Sequence, residues 1–473
     1  MLRELGLKRG DGIAILTGNR AEPWAILCAA NLMGIRYTPM HPLAAEDDHV
    51  HIVSDSMATI LCVDAEKFAD RAQAIRGRVP SLDKVMSLGP SATLDDICAR
   101  IDAAAPSPLV DEAESEDIAW LVYTGGTTGR SKGVMLSHRA IVAMNQIISS
   151  EWEWPALPRY AMVTPISHAG GINLYPILHR GGYARLLQGW DTATFCAVVE
   201  RERLNCTFLV PTIINTLIDA ADIRARHDLS SLDMIIYGAA PMSPDRLREG
   251  IGIFGPVFLQ LYGQSECPQT MTTLRKADHD TDKPERLGSC GLPASVMDIR
   301  LLDGDLNEVA VGEPGEICAR GPLVMSGYWR QPELTEQAFA GGWLHTGDVG
   351  VRDAEGYITI VDRTKDMIIS GGFNIYPREV EDALMSHPAV ALAAVIGIPD
   401  PKWGEAVTAF VTLRAGASVD AATLRQLVKD KRGAPWAPKG VEFVADLPLT
   451  GLGKLDRKAL RAPYWDGASR AVS

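Results

Sequence analysis

The stretch Tyr123-Thr-Gly-Gly-Thr-Thr-Gly-Arg-Ser-Lys-Gly133 is a glycine-rich run that directly follows a short apolar segment, Ala119-Trp-Leu-Val-Tyr. The apolar segment predicts a buried strand, and the glycines after it let the backbone bend and approach a ligand closely. Threonine hydroxyls and the cations of Arg130 and Lys132 accompany the glycines. Backbone N–H groups, hydroxyls and cations together suit a polyphosphate, so the stretch predicts a phosphate-binding loop. A flexible strand-to-helix connection is the alternative.

The spacing of this loop separates it from two common nucleotide-binding motifs. It departs from the G-x-x-x-x-G-K-[ST] pattern of P-loop proteins and from the G-x-G-x-x-G pattern of dinucleotide-binding folds. A second candidate, Gly453-Lys454, also fails the P-loop pattern, because Pro448 stands at the first glycine position and Leu455 at the hydroxyl position. Neither motif therefore identifies the nucleotide.

Upstream of the loop, short apolar runs alternate with helical patterns. The runs Gly12-Ile-Ala-Ile-Leu, Tyr37-Thr-Pro-Met and Thr59-Ile-Leu-Cys-Val predict strands, and residues 22–33 predict a helix. Strands that alternate with helices indicate parallel sheets covered by helices. Residues 94–116, which are rich in alanine, proline, serine and acids, predict a loose connection.

Downstream of the loop the alternation continues and then changes. Strands are predicted at residues 208–210, 234–237 and 257–261, whereas short strands with glycine turns predict a small β-rich subdomain at about 286–363. A compact α+β segment follows, with helices or strands predicted at residues 379–387, 390–397, 406–413 and 421–431. The predicted fold class is therefore α/β, with a large N-terminal domain over residues 1–363 and a small α+β C-terminal domain over residues 364–473.

The composition excludes several broad classes of protein. The chain has 473 residues, which is too many for one ordinary core and favours two or three structural units. Its 46 Lys and Arg against 59 Asp and Glu leave a net charge of -13, which argues against a nucleic-acid-binding protein with a basic face. A hydrophobic content of 47% is typical of a packed globular protein and argues against disorder.

Cysteine usage and the hydrophobic runs predict a cytoplasmic protein. The eight cysteines are scattered without a C-x-x-C pair, which predicts reduced buried thiols rather than disulfides or a zinc site. His49 and His51 lie close together without a second ligand pair, so they predict a solvated loop rather than a metal site. The longest apolar run, residues 24–35, is shorter than the roughly 20 residues of a membrane-spanning helix. The first residues lack the apolar core and cleavage site of a secretory signal.

Five further motifs follow the glycine-rich loop in a fixed order, and with it they resemble the signatures of the adenylate-forming superfamily. They are Tyr262-Gly-Gln-Ser-Glu266, Gly315-Glu-Ile with Gly327-Tyr-Trp-Arg-Gln-Pro-Glu-Leu-Thr335, Gly342-Trp-Leu-His-Thr-Gly-Asp348, the segment from Asp362 to Glu379, and Pro448-Leu-Thr-Gly-Leu-Gly-Lys454. The superfamily includes acyl-CoA synthetases, aryl-CoA ligases, beetle luciferases and the adenylation domains of peptide synthetases. The resemblance runs from near residue 5 to about residue 465.

This resemblance implies a two-step reaction. A carboxylate attacks the α-phosphate of ATP, which releases pyrophosphate and leaves an acyl-adenylate. The thiol of coenzyme A then attacks the mixed anhydride and expels AMP. The first step requires charge compensation on the phosphates and in-line positioning of the acid. The expected cofactors and co-substrates are ATP, Mg²⁺ and coenzyme A.

The resemblance also implies roles for individual residues. Lys454 bridges the carboxylate and the α-phosphate, Glu266 holds Mg²⁺, and Thr128 and His168 complete the expected catalytic set. Tyr262 packs against adenine, Asp348 hydrogen-bonds both ribose hydroxyls, and Arg363 makes a second contact to the ribose or a phosphate. The expected nucleotide-binding residues also include Thr124, Gly125, Gly126, Thr127, Lys132, Gly238, Ala239, Ala240 and Gly263.

The C-terminal domain is expected to be mobile. By the same resemblance, Lys365 is the hinge about which this domain rotates between the two half-reactions and carries Lys454 away. Gly371 and Gly372 then line the tunnel for the pantetheine arm, where absent side chains admit a narrow thiol. From the sequence alone, Lys365 would be an exposed charge and Lys454 a surface lysine.

The acid and the acceptor stay open at this level. Amino-acid-activating relatives carry an aspartate near the position of His168, and residues 165–173 contain none, which argues against amino acids. The expected pocket wall is small and mostly apolar and consists of Gly170, Gly171, Ile172, Asn173, Leu174, Ala239, Ala240 and Cys267. It suits a fatty, aryl or alicyclic acid. A carrier-protein acceptor is the main alternative to coenzyme A. A non-catalytic binding protein and a light-emitting oxygenase are further alternative functions. The oligomeric state is also open, and a homodimer is one candidate.

Two features depart from the family pattern. Ser131 replaces the proline usual before the loop lysine, which loosens the loop but keeps Lys132. The chain also begins where members of the family already have a few dozen residues behind them. The usual first helix and strand are therefore expected to be missing, with a cost to stability and none to the nucleotide motifs.

Overall fold

The computed structural model describes residues 1–105, 108–124, 130–363, 366–449 and 455–465. Several predicted site residues lie outside the described residues: Gly125, Gly126, Thr127, Thr128, Lys365 and Lys454.

The chain alternates strands and helices throughout. Its strands are β1 (Gly12–Leu16), β2 (Arg36–Met40), β3 (Ile60–Val63), β4 (Lys84–Ser87), β5 (Asp95–Asp96), β6 (Ile118–Thr124), β7 (Lys132–Ser137), β8 (Arg159–Met162), β9 (Tyr183–Leu186), β10 (Cys206–Leu209), β11 (Met234–Gly238), β12 (Phe258–Gln264), β13 (Cys267–Leu274), β14 (Leu292–Pro293), β15 (Asp298–Leu302), β16 (Pro314–Arg320), β17 (Gly327–Tyr328), β18 (Leu344–Arg352), β19 (Ile358–Arg363), β20 (Ile368–Ser370), β21 (Phe373–Ile375), β22 (Val390–Asp400), β23 (Gly404–Leu413) and β24 (Gly440–Phe443).

Its helices are α1 (Glu22–Leu32), α2 (Glu46–Asp55), α3 (Ala65–Arg78), α4 (Ile97–Ala103), α5 (His138–Glu151), α6 (Ala169–Ile172), α7 (Leu174–His179), α8 (Thr192–Glu202), α9 (Pro211–Asp219), α10 (Ala221–Arg224), α11 (Pro244–Phe254), α12 (Pro284–Leu287), α13 (Pro332–Ala338), α14 (Pro377–Met385), α15 (Ala421–Arg432) and α16 (Arg457–Arg461). Among the helices of the described ranges, none combines the length and the apolar character needed to cross a membrane.

Two large sheets form the body of the molecule. Sheet A has the order β17-β7-β6-β2-β1-β3-β4-β5, and sheet B has the order β14-β13-β12-β11-β10-β8-β9. In sheet A the neighbouring strands β6, β2, β1, β3, β4 and β5 run parallel, and in sheet B the neighbouring strands β12, β11, β10, β8 and β9 run parallel. Antiparallel strands extend one edge of each sheet. Every residue of β1 is buried, which explains its continuous apolar sequence, because helices cover both faces of a parallel sheet. The predicted parallel sheets are confirmed.

One cluster of buried side chains joins the two large sheets. It includes Ile13 of β1 and Tyr37 of β2 in sheet A, and Phe208 of β10 and Ile236 of β11 in sheet B. The loops at the ends of these strands are therefore held against a shared core. Loops on rigid scaffolds of this kind commonly carry binding residues.

Sheet C is smaller and entirely antiparallel, with the order β15-β16-β18-β19. It occupies most of the segment predicted to be β-rich, about 286–363. Two short strands of that segment pair elsewhere, because β14 extends sheet B and β17 extends sheet A. The segment thus forms its own sheet and also completes the edges of both larger ones.

Sheet D contains the strands after residue 366, with β21-β20-β23-β22 in order and β24 paired to β23. Helices α14 and α15 pack with it around a separate core that includes Ile368, Val380 and Val407. The helices and strands predicted here from periodicity all exist, with ends that differ by a few residues.

Three local expectations fare differently. The connection predicted at 94–116 contains β5 and the short helix α4, which begins because the Asp96 carboxylate accepts a hydrogen bond from the Cys98 N–H. The solvated loop predicted at His49 and His51 is wrong, because both lie in α2 and His49 is fully buried. All eight cysteines are described and are free thiols, and six of them are buried.

Candidate active site

The glycine-rich stretch connects β6 with β7, two antiparallel neighbours in sheet A. Thr124, the last residue of β6, lies opposite Lys132, the first residue of β7. The carbonyl oxygen of the neighbouring Ser131 accepts a hydrogen bond from His51 Nε2 at 2.8 Å. Helix α2 is thereby attached to this end of the loop, at the position where serine stands in place of the usual proline.

Lys132, Glu266 and Tyr328 form a compact group beside this loop. Lys132 Nζ lies 3.6 Å from Glu266 Oε1 and 3.7 Å from the centre of the Tyr328 ring. The Tyr328 hydroxyl donates a hydrogen bond to the same Glu266 oxygen at 2.8 Å. Burial lowers the pKa of Lys132, and the Glu266 charge opposes that shift. The carboxylate and the aromatic face therefore both favour the charged ammonium.

Glu266 is suited to a divalent cation. Only 8% of the residue is exposed, and its Oε1 atom accepts the Tyr328 hydrogen bond while Oε2 makes no hydrogen bond to the described residues. Mg²⁺ prefers one or two carboxylates together with phosphate oxygens and water. One carboxylate with an oxygen to spare, beside a loop suited to phosphates, fits that preference.

Tyr262, Asp348 and Arg363 form a second group. The Tyr262 hydroxyl donates to Asp348 Oδ2 at 2.8 Å, and Arg363 Nε donates to Asp348 Oδ1 at 3.1 Å. Asp348 and Arg363 lie directly opposite each other on β18 and β19. Burial, followed by the charge of Asp348, raises the pKa of Tyr262 well above its usual value. The carboxylate is thus oriented on both oxygens in a largely water-excluded position.

An irregularity in the pairing of β18 orients the side chain of Asp348. In the β16–β18 ladder, Glu316 pairs with Val349 and Cys318 pairs with His345, so the ladder is interrupted between them. Gly347 takes a φ of +71° in this interruption, and its N–H donates to Glu316 Oε1 at 2.9 Å. Glu316 was not predicted as a site residue, although it stands in the Gly315-Glu-Ile motif. We infer that Glu316 supports the turn that precedes Asp348.

The two groups are linked through the end of β12. Gln264 follows Tyr262 and precedes Glu266, and its side-chain amide donates to the Thr346 carbonyl at 3.4 Å. Gly263 cannot carry a side chain here, because a β-carbon would lie 2.6 Å from the Gln269 carbonyl oxygen. The predicted Tyr262–Glu266 motif therefore connects the group around Glu266 with the group around Asp348.

The segment Gly238-Ala239-Ala240 ends β11 in a constrained turn. A β-carbon on Gly238 would lie 2.4 Å from the Leu261 carbonyl oxygen, so the two strands approach closely. Ala239 has a φ of +63°, a conformation that costs a residue with a side chain about 1–2 kcal/mol. Backbone strain of this kind concentrates at functional sites.

His168 lies in a tightly packed turn before α6. Its Nδ1 atom is 2.8 Å from the Ser167 hydroxyl, and its ring packs edge-on against His41 at 4.9 Å. A β-carbon on Gly171 would lie 1.9 Å from the Ile166 carbonyl oxygen. Of the predicted pocket wall, Gly171 borders a cavity that is also lined by Trp24, Leu27, Tyr37, Pro39, Trp120, Ile166, Ser167 and His168.

Other members of the predicted wall do not line that cavity. Asn173 and Cys267 are fully buried, and Asn173 lies within hydrogen-bond distance of Tyr160 and Gln269. The aromatic residues that border the cavity come from α1, β2 and β6. Sequence reasoning missed them because their distance from His168 along the chain gives no local signal.

Gly371 and Gly372 form the turn between β20 and β21. Their φ angles are +59° and +84°, and a β-carbon on Gly371 would lie 2.8 Å from the Trp403 ring. The ammonium groups of Lys402 and Lys439 each lie 4.9 Å from the centre of the same ring. The turn thus lies beside an aromatic surface with two positive charges.

A group of buried charges follows Arg363. Arg457 of α16 bonds Glu381 of α14 at 2.7 Å and lies 3.8 Å from Asp366, which Arg461 also contacts. Asp362 accepts hydrogen bonds from the backbone N–H groups of Arg363 and Arg378. Burial raises the pKa of Asp362 to about 6. None of these contacts was predicted from the sequence.

The comparisons with known proteins agree with this geometry. Residues 1–329 match the model of the AMP-binding enzyme family, and residues 379–454 match the model of the AMP-binding enzyme C-terminal domain. A medium/long-chain-fatty-acid–CoA ligase of Mycobacterium tuberculosis is 44% identical over 99% of this chain and 84% of its own. A feruloyl-CoA synthase of Amycolatopsis sp is 34% identical over 98% of this chain and 91% of its own.

A solved structure supports the same assignment. An amide bond synthetase from Marinactinospora thermotolerans superposes with a TM-score of 0.91, at 35% identity, over 98% of this chain and 92% of its own. The predicted α/β architecture is thereby confirmed. The chain belongs to the AMP-binding enzyme family of the adenylate-forming superfamily, and it is an AMP-forming acid–CoA ligase.

Proposed function

We propose that this acid–CoA ligase activates a fatty, aryl or alicyclic carboxylic acid at the site around Lys132, Glu266 and Asp348. The observation that carries the proposal is the convergence of two groups. Lys132 lies 3.6 Å from Glu266 beside the glycine-rich loop, and Tyr262 and Arg363 both bond Asp348. Linked through Gln264, the groups provide for the phosphates and the ribose of one nucleotide.

In the first step a carboxylate oxygen of the acid attacks the α-phosphorus of ATP, and the bond to the pyrophosphate oxygen breaks. Lys132 neutralises negative charge on the departing phosphates. Asp348 accepts hydrogen bonds from the ribose hydroxyls, with Tyr262 and Arg363 holding its orientation. Preorganised charges of this kind act without reorganisation at the moment of reaction.

We further propose that Glu266 holds Mg²⁺ through its Oε2 atom. When bound, the ion supplies compensation for negative charge on the phosphates. Tyr328 keeps the other carboxylate oxygen in place by its hydrogen bond of 2.8 Å. Lys132 remains beside the same carboxylate, so the charge of Glu266 is shared between two cations.

Lys454 is proposed to contact both the carboxylate and the α-phosphate in the first step. Lys365 is proposed as the hinge that removes Lys454 afterwards. Both roles are carried over from the family motifs that these residues match. The backbones of Leu449 and Leu455, on either side of the segment that ends in Lys454, pair in an antiparallel bridge.

In the second step the coenzyme A thiolate attacks the acyl carbon, and AMP leaves. We propose that the pantetheine arm passes Gly371 and Gly372. The neighbouring surface supports this route, because Trp403 offers a stacking face and Lys402 and Lys439 offer charges for the phosphates of the nucleotide end. A cationic aromatic surface suits a phosphorylated nucleotide.

The relatives support the substrate class without choosing within it. One acts on medium- and long-chain fatty acids by its name, and another forms feruloyl-CoA. The cavity beside His168 is lined by Trp24, Tyr37 and Trp120, whose rings suit an apolar acid, but its volume of about 20 Å³ requires these side chains to move apart before an acid can enter. A hydrophobic pocket discriminates weakly between such acids.

The test is an incubation of the full chain with ATP, Mg²⁺, coenzyme A and a pooled panel of fatty, aryl and alicyclic acids, followed by mass spectrometry. We expect one class of acid to appear as its acyl-CoA, and we expect this product to be lost in Lys454→Ala. A second arm replaces coenzyme A with a simple amine, because one structural relative is an amide bond synthetase. An amide formed without any acyl-CoA would contradict the proposed acceptor. The absence of acyl-AMP, acyl-CoA and amide alike from a folded sample would contradict the proposed site.

A further inference from the structure

Three side chains of sheet C that could serve as metal ligands meet beside the turn that precedes Asp348. Glu316 and Cys318 stand two residues apart on β16, so their side chains lie on one face of the sheet. His345 lies directly opposite Cys318 on β18. The carboxylate, thiol and imidazole ligand atoms all lie within 4.8 Å of one another.

Two distances from His345 Nδ1 can be compared with those around a tetrahedral ion. Zinc bonds of about 2.3 Å to sulfur and 2.0 Å to nitrogen place the two atoms about 3.5 Å apart. Cys318 Sγ and His345 Nδ1 are 3.6 Å apart. Glu316 Oε2 lies 2.8 Å from the same nitrogen, where tetrahedral ligation requires about 3.3 Å. A carboxylate displacement of about 0.5 Å would bring this second distance to the tetrahedral value.

The hydrogen bonds of His345 leave Nδ1 as the ligand atom. Nε2 lies 3.1 Å from the Ala340 carbonyl oxygen, which can only accept, so this nitrogen carries a proton. Nδ1 faces Glu316 Oε2, a second acceptor. A neutral imidazole that is protonated at Nε2 keeps a lone pair on Nδ1, the nitrogen that lies 3.6 Å from the Cys318 sulfur. A histidine that donates its other N–H to a backbone carbonyl is the usual arrangement in metal sites.

We propose that Glu316, Cys318 and His345 form a binding site for zinc or a similar borderline-soft divalent ion, with one coordination position left for water. Two anionic ligands and one neutral ligand offset the charge of the ion. Binding displaces the thiol proton of Cys318, which passes to solvent, and uses the lone pair of His345 Nδ1. Hard ions such as Mg²⁺ are disfavoured because the set includes a thiolate.

The surroundings of the three ligands allow an ion to enter from solvent. The side chains of His345 and Glu316 are 19% and 27% exposed, so the site opens to solvent on that side, whereas Cys318 is buried against Leu302 and Trp343.

The test uses the full chain freed of metal with a chelator and titrated with Co²⁺, which reports thiolate ligation and tetrahedral geometry by its absorption. We expect one equivalent to give a thiolate-to-cobalt charge-transfer band that Zn²⁺ abolishes. Cys318→Ser should remove the band. His345→Gln should weaken Zn²⁺ binding by more than the roughly 10–100-fold typical of losing an outer-shell partner. Cys28→Ser, at a partly exposed cysteine of α1, is the matched control and should change neither readout.

Thermal unfolding verifies that each variant is folded, and His345→Gln keeps the test decisive if Cys318→Ser does not fold. A titration of the wild-type chain without a charge-transfer band would overturn the proposal. So would a band that survives Cys318→Ser or disappears in Cys28→Ser. In those cases Glu316 and His345 form only an ion pair that supports the turn.

Discussion

Tyr328→Phe tests whether the group around Glu266 is set by the Tyr328 hydroxyl. The change removes one oxygen and keeps the aromatic ring on which Lys132 rests at 3.7 Å. It deletes the hydrogen bond of 2.8 Å to Glu266 Oε1. A hydrogen bond to a charged group contributes about 1.5–3 kcal/mol, which corresponds to a fall of roughly 10–100-fold in kcat/KM for adenylation.

The assay is acid-dependent exchange between pyrophosphate and ATP, measured over a range of Mg²⁺ concentrations. Because Glu266 is the proposed Mg²⁺ ligand, the variant should also require more Mg²⁺ for half-maximal rate. Tyr357→Phe is the matched control, since the Tyr357 hydroxyl bonds Asp278 at 3.0 Å in a similarly buried position outside the two groups. An unchanged rate in Tyr328→Phe, or an equal loss in Tyr357→Phe, would show that the Tyr328 hydroxyl does not hold Glu266 for adenylation.

Three further changes have defined outcomes. Asp348→Asn should raise the KM for ATP about 10–100-fold, with a smaller effect on kcat, because it weakens a charged acceptor; an unchanged KM in steady-state kinetics would contradict the ribose role. Gly371→Ala should slow thioester formation in single-turnover assays and leave acyl-AMP formation unchanged, because its β-carbon would meet the Trp403 ring at 2.8 Å. Burial raises the pKa of Asp362 to about 6, so the folded protein binds this proton more tightly than the unfolded chain. Its contribution to stability should therefore grow by about 1 kcal/mol as the pH falls from 7 to 5. Urea unfolding of Asp362→Asn should lack this increment, and an identical pH dependence in both proteins would contradict it.

The sequence predicted those features that depend on local pattern. Apolar runs such as residues 12–16 predict strands because burial on both faces leaves no polar alternation. The motif ending in Glu266 and the one ending in Asp348 were recognisable because each is short and continuous. Their meeting in space depends on the pairing of sheets and was implied only by the family resemblance.

Features that depend on strand pairing were missed. Tyr328 reaches Glu266 because β17 extends sheet A beside β7, which no local pattern encodes. The meeting of Cys318 and His345, on which the proposed metal site rests, comes from their pairing across two strands, and no C-x-x-C spacing marks it in the sequence. Residues that meet only because two strands pair in a particular register cannot be identified from their spacing in the sequence. His49 was misassigned for a related reason, since its burial is decided by the packing of α2.

The path of the acid's oxygen atoms shows whether the carboxylate attacks the α-phosphate of ATP. A carboxylic acid labelled with a heavy oxygen isotope in its carboxylate is converted in the presence of ATP, Mg²⁺ and coenzyme A, and the products are weighed by mass spectrometry. We expect AMP to gain one labelled oxygen and pyrophosphate to gain none, because the carboxylate oxygen stays on the α-phosphorus when the thiol attacks the acyl carbon. Label in pyrophosphate or inorganic phosphate, or unlabelled AMP beside a labelled thioester, would contradict attack at the α-phosphate.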